Sequence, residues 1–244
     1  EDVLLEWVEV FENWLVLKEK KDALDQLRVI SRGTREEHLI AFDEPAYTAA
    51  LGENFEYKTE TVRFNYESMT TPVSVYDYDM AARQRVLMKR QEVPGGFKPE
   101  NYVSERLWFT ARDGEKVPLS IVYRKGLDPA AGKNPVYIYY YGSYGYSTDP
   151  DFSSLRLSLL DRGFIYAIPH IRGGSELGRR WYEEGRQLKK RNTFLDFIDA
   201  TRYLVDLDSA APRHVYAEGG SAGGLLMGAV LNMAPELYRG VIAD

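Results

Sequence analysis

The chain has 244 residues, a length that admits one large domain or two smaller ones. Its 44% hydrophobic and 28% charged residues are ordinary for a soluble globular protein, and a net charge of −6 argues against nucleic acid while leaving cationic substrates open. Without cysteine there is no disulfide framework and no Cys-based metal or redox site, and no stretch approaches the roughly 18 apolar residues of a membrane span. No cofactor, metal or membrane partner is expected. No signal peptide begins the chain, so a cytoplasmic location is expected. Glu1 to Phe11 already read as the middle of a strand-rich region, so the chain is expected to be cut at both ends.

Residues 1–100 carry short alternating or β-branched runs: Leu4–Val10, Trp14–Leu17, Leu27–Ser31, His38–Phe42, Thr61–Tyr66, Val73–Tyr78 and Val86–Lys89. Turn formers separate them and no helical period appears, so the region is antiparallel all-β. The rhythm fits a sandwich, a barrel or propeller blades equally. After Pro94-Gly95-Gly96 it changes. Val103–Thr110 and Val117–Tyr123 flank Asp113-Gly114, a hairpin signal. Pro135–Tyr141 and Phe164–Ile168 read as buried strands, with a helix over Leu155–Arg162 between them. Thr193–Leu207 is an amphipathic helix with Phe194, Phe197, Ile198, Thr201, Leu204 and Val205 on one face, capped by Asn192 or Thr193. A strand at His214–Ala217, a helix at Leu225–Asn232 and a strand at Gly240–Ala243 follow. Alternating strand and helix predicts a parallel α/β sheet over residues 101–244.

Gly219-Gly220-Ser221-Ala222-Gly223-Gly224, between the His214–Ala217 strand and the Leu225–Asn232 helix, contains G-x-S-x-G, the pattern of a nucleophilic serine on a sharp strand-to-helix turn. Such a turn strains the serine backbone and needs small neighbours. Gly219 relieves crowding before it, while Gly223 and Gly224 let helix and strand approach. The Ala222 N–H, at the helix start, points where an oxyanion would develop. A phosphate-binding loop is the weaker alternative, because no lysine follows the glycines and the spacing does not give G-x-G-x-x-G. A tight turn with an inert serine is the other.

Several ordered segments resemble the oligopeptidase B branch of the prolyl oligopeptidase family of serine peptidases. They are Ser68-Met69-Thr70-Thr71-Pro72, Tyr141-Gly142-Ser143-Tyr144-Gly145, Leu157 to Gly163, His170 to Gly178, Lys189 to Phe194 and Gly219 to Gly224. The resemblance implies that residues 1–100 are the last blades of a seven-bladed β-propeller and that 101–244 are the first part of an α/β-hydrolase domain. It implies that Ser221 is the nucleophile and that the Tyr141 hydroxyl joins the Ala222 N–H in holding the oxyanion. Tyr140 departs from the pattern, standing where relatives usually carry glycine. By residue type alone Tyr141 is an ordinary strand tyrosine. Asp149 and Asp151 resemble the acidic residues that bind a basic side chain next to the cleavage site, and two carboxylates suit a guanidinium. The alternative for that pair is a solvated loop with helix-capping aspartates. Short peptides cut after Arg or Lys are the implied substrates, with a proline-specific oligopeptidase of the same fold, or a non-catalytic relic, as alternatives. Arg172 reads as architectural and Lys189-Lys190-Arg191 as a solvated approach to a helix.

A serine nucleophile needs a general base, and the α/β-hydrolase order is Ser, then Asp or Glu, then His. The three histidines, His38, His170 and His214, all precede Ser221, and the only Asp after it is Asp244. His170, following a buried strand, is the best internal substitute base. Losing the triad histidine costs on the order of 10⁶ in kcat. The chain alone is therefore expected to be inactive, with the triad Asp, the triad His and the remaining segments of the same enzyme as its partners.

Overall fold

The computed structural model describes residues 3–129, 131, 134–206 and 214–244. Glu1, Asp2 and Leu207, which the sequence assigned to the first strand-rich region and to a helix end, lie outside the described residues. The first half holds two four-stranded antiparallel sheets in sequential order. One comprises β1 (Val3–Val10), β2 (Trp14–Lys21), β3 (Leu24–Ser31) and β4 (Glu37–Leu39); the other β5 (Tyr47–Leu51), β6 (Thr61–Ser68), β7 (Thr71–Asp79) and β8 (Gln84–Arg90). Their inward side chains alternate, as Val62, Phe64 and Tyr66 do along β6, and meet Val16, Leu27 and Val29 from the first sheet in one apolar cluster. Two four-stranded antiparallel sheets in sequential strand order are the form that propeller blades take.

Two strand readings change. β5 was not anticipated, because Ala49-Ala50 at its centre carries little β preference; its pairing with β6 creates it. The strand over His38–Phe42 stops at Leu39, since Ile40 and Phe42 turn into the core between the sheets.

The second half is a six-stranded mixed sheet in the order β14-β13-β11-β12-β10-β9. Here β9 is Tyr102–Thr110, β10 Lys116–Arg124, β11 Val136–Tyr139, β12 Ile165–Pro169, β13 Val215–Gly219 and β14 Gly240–Ala243. The β9–β10 hairpin and the β10–β12 pair are antiparallel, whereas β12, β11, β13 and β14 run parallel. β12 is buried at every residue, as a central parallel strand covered on both faces must be.

The helix expected over Leu155–Arg162 is a single turn, α1 (Leu157–Leu160), followed by α2 (Arg179–Glu183). α3 (Arg191–Asp206) buries Phe197, Ile198, Thr201 and Leu204, the face the periodicity marks. Asn192 and Thr193 sit inside its first turn and do not cap it. Their side chains donate to the carbonyls of Glu184 and Gly185, tying α3 to the preceding loop. α4 (Ala222–Met233) packs on β13 and β14. Among the described residues no helix is long and apolar enough to cross a membrane.

The halves touch through side chains as well as backbone. The two-residue β2–β3 turn, Asp22-Ala23, holds both residues at positive φ (52° and 60°), the type I′ geometry that matches strand twist. Ala23 is buried there and its N–H donates to the Glu176 carbonyl.

Candidate active site

β11 and β13 are parallel neighbours, with Tyr139 opposite Glu218, so the segments leaving both strands emerge at the same sheet edge. Carboxyl ends of parallel strands are where such sheets place ligands. Ser221 lies there, exposed, at φ 53° and ψ −114°, a conformation few non-glycine residues adopt. Three backbone bonds hold it: Ser221 N–H to the Asp244 carbonyl at 2.7 Å, Gly223 N–H to Gly220 at 2.7 Å and Gly224 N–H to Ser221 at 2.9 Å.

The glycines are required by space. A Cβ on Gly219 would lie 2.5 Å from the Gly223 carbonyl oxygen, and one on Gly223 would lie 2.9 Å from the Tyr140 oxygen and 3.5 Å from the Tyr141 Cα. The second contact also seats Tyr141 against the start of α4. The Ala222 N–H makes no hydrogen bond among the described residues. It is the first donor of a helix whose dipole favours negative charge at this end.

Tyr141 is half-buried and packs against Tyr146 edge-on at 5.5 Å and against Tyr144 at 6.3 Å. Together with Gly145 these rings line an open cavity of about 590 Å³. The departure at Tyr140 leaves Tyr141 in place: Tyr140 points into the core, where its hydroxyl donates to Glu176 Oε1 at 2.6 Å, 3.1 Å from the Ile171 carbonyl. Burial and the Glu176 carboxylate push that hydroxyl well above its ordinary pKa.

Lys190 corrects the reading of its segment as a solvated approach. Its ammonium is partly buried, donates to the Gly142 carbonyl and lies 2.7 Å from Ser143 Oγ, so it grips the turn that follows Tyr141. Burial pushes its pKa down to about 8. Lys189 does behave as surface, pairing with Glu184 at 2.6 Å. Arg172 is architectural: buried, it bridges Asp196 at 2.5 Å and Asp113 at 2.7 Å.

None of the histidines is placed as a base for Ser221. His170 is completely buried, with Nε2 2.8 Å from Ser120 Oγ, which withdraws it as a substitute base. His38 pairs with the Tyr78 hydroxyl in the β half. His214 precedes β13, at the end of that strand away from the elbow. Asp244 serves the elbow through its backbone carbonyl.

Asp149 and Asp151 line one cavity of about 460 Å³, together with Glu67, Thr148, Tyr146 and Arg156. They are not free carboxylates. Asp149 Oδ1 lies 2.6 Å from the Lys20 ammonium, which comes from β2 and also holds Asp25 at 2.8 Å. Asp151 is held by Arg156 at 2.9 Å, and that guanidinium lies 4.2 Å from the centre of the Tyr166 ring. Burial, with Asp25 nearby, lifts Asp149 above the ordinary carboxylate range despite Lys20. Burial acts against the charge of Asp25 too, but Lys20, Lys18 and Thr48 outweigh it and hold its carboxyl below that range. Glu67, absent from the residues picked out by sequence, enters this cavity from β6, one residue before Ser68-Met69-Thr70-Thr71-Pro72.

Residues 1–91 match the prolyl oligopeptidase N-terminal beta-propeller domain and residues 150–244 the prolyl oligopeptidase family. Dipeptidyl aminopeptidase BI of Pseudoxanthomonas mexicana is 49% identical over 243 residues, 99% of this chain and 33% of the relative. Protease 2 of Moraxella lacunata is 40% identical over 95% of the chain and 33% of its own length. The structure of oligopeptidase B from Trypanosoma brucei with covalently bound antipain superposes with a TM-score of 0.91 at 42% identity, covering 99% of this chain and 35% of that one. The chain thus spans about a third of the length of the relatives it matches.

Proposed function

The chain belongs to the prolyl oligopeptidase family, and from that premise we propose that the protein containing it is a serine peptidase that cuts short peptides after Arg or Lys. The observation that carries this reading is Ser221, held at positive φ at the head of α4 beside an Ala222 N–H with no partner among the described residues. In the proposed reaction Ser221 Oγ loses its proton to a base and bonds to the scissile carbonyl carbon. The carbonyl oxygen becomes an oxyanion received by the Ala222 N–H and the Tyr141 hydroxyl, each worth roughly 3 kcal/mol in a site without water. Collapse releases the amine, which takes the proton, and leaves an acyl-enzyme that water then cleaves. The triad Asp and His belong to the remainder of the longer protein, so this chain by itself is not a competent peptidase. Its blades, as part of a closed propeller, would admit only short substrates, and the protein works in the cytoplasm.

The negative wall formed by Glu67, Asp149 and Asp151 supports basic over proline-directed specificity. The 49% identity to a protein named dipeptidyl aminopeptidase supports a second reading, in which dipeptides are released from a free amino terminus. The full-length protein separates these readings when kcat/KM is compared on peptides carrying Arg, Lys or Pro before the reporter, each with a free or acetylated amino terminus. Preference for Arg or Lys whatever the terminus supports the first reading; preference for Pro contradicts it, and a strict need for the free amine favours the second.

A further inference from the structure

Both aspartates singled out for binding a basic side chain already hold a cation from the protein: Lys20 on Asp149 and Arg156 on Asp151. Glu67 does not. Its Oε2 accepts the Phe152 N–H at 2.9 Å, which fixes the carboxylate against the loop that carries the aspartates. Its Oε1 has no partner, and no ion pair reaches the residue, among the described residues. Around this cavity four carboxylates (Asp25, Glu67, Asp149, Asp151) face Lys20, Arg156 and, 3.7 Å from Asp25, Lys18, which Glu6 also holds at 2.7 Å, so a net negative charge remains to be met from outside.

A second feature points to a ligand at the same place. Thr148 lines the cavity, is only 7% exposed, and its hydroxyl has no partner among the described residues. A buried hydroxyl without a partner is rare in a folded protein and marks a spot where an incoming group completes the bonding. The rings of Tyr139 and Tyr146 form further wall, suited to the flank of a guanidinium or an ammonium.

We propose that Glu67 is the specificity-determining carboxylate of this site: its Oε1 receives a cationic group of the substrate, the Thr148 hydroxyl accepts a second N–H from it, and Asp149 and Asp151 act through Lys20 and Arg156 to hold the cavity's shape. The proposal rests on the peptidase reading above and adds a ligand contributed by the propeller half. The electrostatics agree. Burial, together with Asp151 and Asp149, lifts the Glu67 carboxyl above its ordinary range, against the Phe152 N–H and the Arg156 guanidinium.

The test uses the full-length protein and four peptides: Arg or Ala in the position preceding the residue at the cleaved bond, each with a free or acetylated amino terminus. The readout is the ratio of kcat/KM between cationic and uncharged members. Glu67→Gln keeps an acceptor for Phe152 while removing the charge, and Glu67→Asp keeps the charge while shortening its reach. Losing one charge-assisted contact should lower the ratio about tenfold to a hundredfold in E67Q, mostly through KM, with partial recovery in E67D. A loss that follows Arg identifies a side-chain cation; a loss that follows the free terminus identifies the α-ammonium. Either outcome supports the proposal. Unchanged ratios in E67Q, or a collapse seen only in Asp151→Asn, overturn it. Wild-type protein that cleaves none of the four peptides overturns the peptidase reading itself, and this inference with it.

Discussion

Replacing Lys20 with Met tests whether the ion cluster fastens the two halves together. Its ammonium is 1% exposed and is shared between Asp25, fully buried, and Asp149, 32% exposed, at 2.8 and 2.6 Å. Removing one partner of a buried pair costs about 3–5 kcal/mol, because the charge left behind is uncompensated. Two carboxylates are left here, but Asp149 reaches solvent, so the lower end, about 3 kcal/mol, is expected. That is roughly a hundredfold in an opening equilibrium. The assay is hydrogen exchange in the full-length protein, read at the Ala23 N–H, whose acceptor is the Glu176 carbonyl across the junction, and along β2. Protection there should fall about a hundredfold, while the β6–β7 ladder is spared.

The pH dependence of that deficit has a definite sign. Lys20, raised above 10.5 by its two carboxylates against the effect of burial, contributes stability that is present below 10.5 and lost as pH rises through its folded pKa. Asp25, lowered below 3.8, contributes stability present above 3.8 and lost as pH falls through its own. The deficit of K20M is therefore greatest between those limits and shrinks on acidification, as Asp149 and Asp25, the latter left with Lys18 at 3.7 Å as its cation, take up protons. Unchanged protection at pH 7, or a deficit that grows in acid, would refute the reasoning.

Two further outcomes concern the oxyanion side. Tyr141→Phe removes one donor while keeping the ring packed on Tyr146, so kcat should fall about 10²–10³-fold with KM little changed; a loss confined to KM would make Tyr141 a binding residue. Lys190→Met frees the Gly142 carbonyl, and kcat should fall along with affinity for a peptide-aldehyde inhibitor that forms the oxyanion. Because burial holds Lys190 near 8 against 10.5 in the unfolded chain, wild-type stability should rise between those pH values relative to K190M. Parallel stability curves for the two proteins would remove Lys190 from that role.

The elbow was legible in sequence because its constraint is local: Gly219 and Gly223 face each other across a few bonds, and any side chain there would collide. The α3 face and the β9–β10 hairpin were legible for the same reason, each resting on a periodic pattern or a turn pair. What escaped depends on distant partners. Nothing near Asp149 announces Lys20, 129 residues away, and nothing near Tyr140 announces Glu176. β5 is a strand because β6 offers it a ladder, and alanines carry no signal of that. Lys190 resembled its neighbours Lys189 and Arg191 in a basic run, and only the turn after Tyr141 sets it apart. Glu67 carried no mark of its own, because it falls in step with Arg63 and Asn65 on the polar face of an alternating strand.

The most direct test of the whole account is covalent labelling of the full-length protein with a fluorophosphonate, followed by mapping of the adduct. A single adduct on Ser221, absent from Ser221→Ala and accompanied by loss of peptidase activity, is the expected result. Folded protein that cleaves peptides while Ser221 stays unlabelled, or that keeps its activity in S221A, would contradict it.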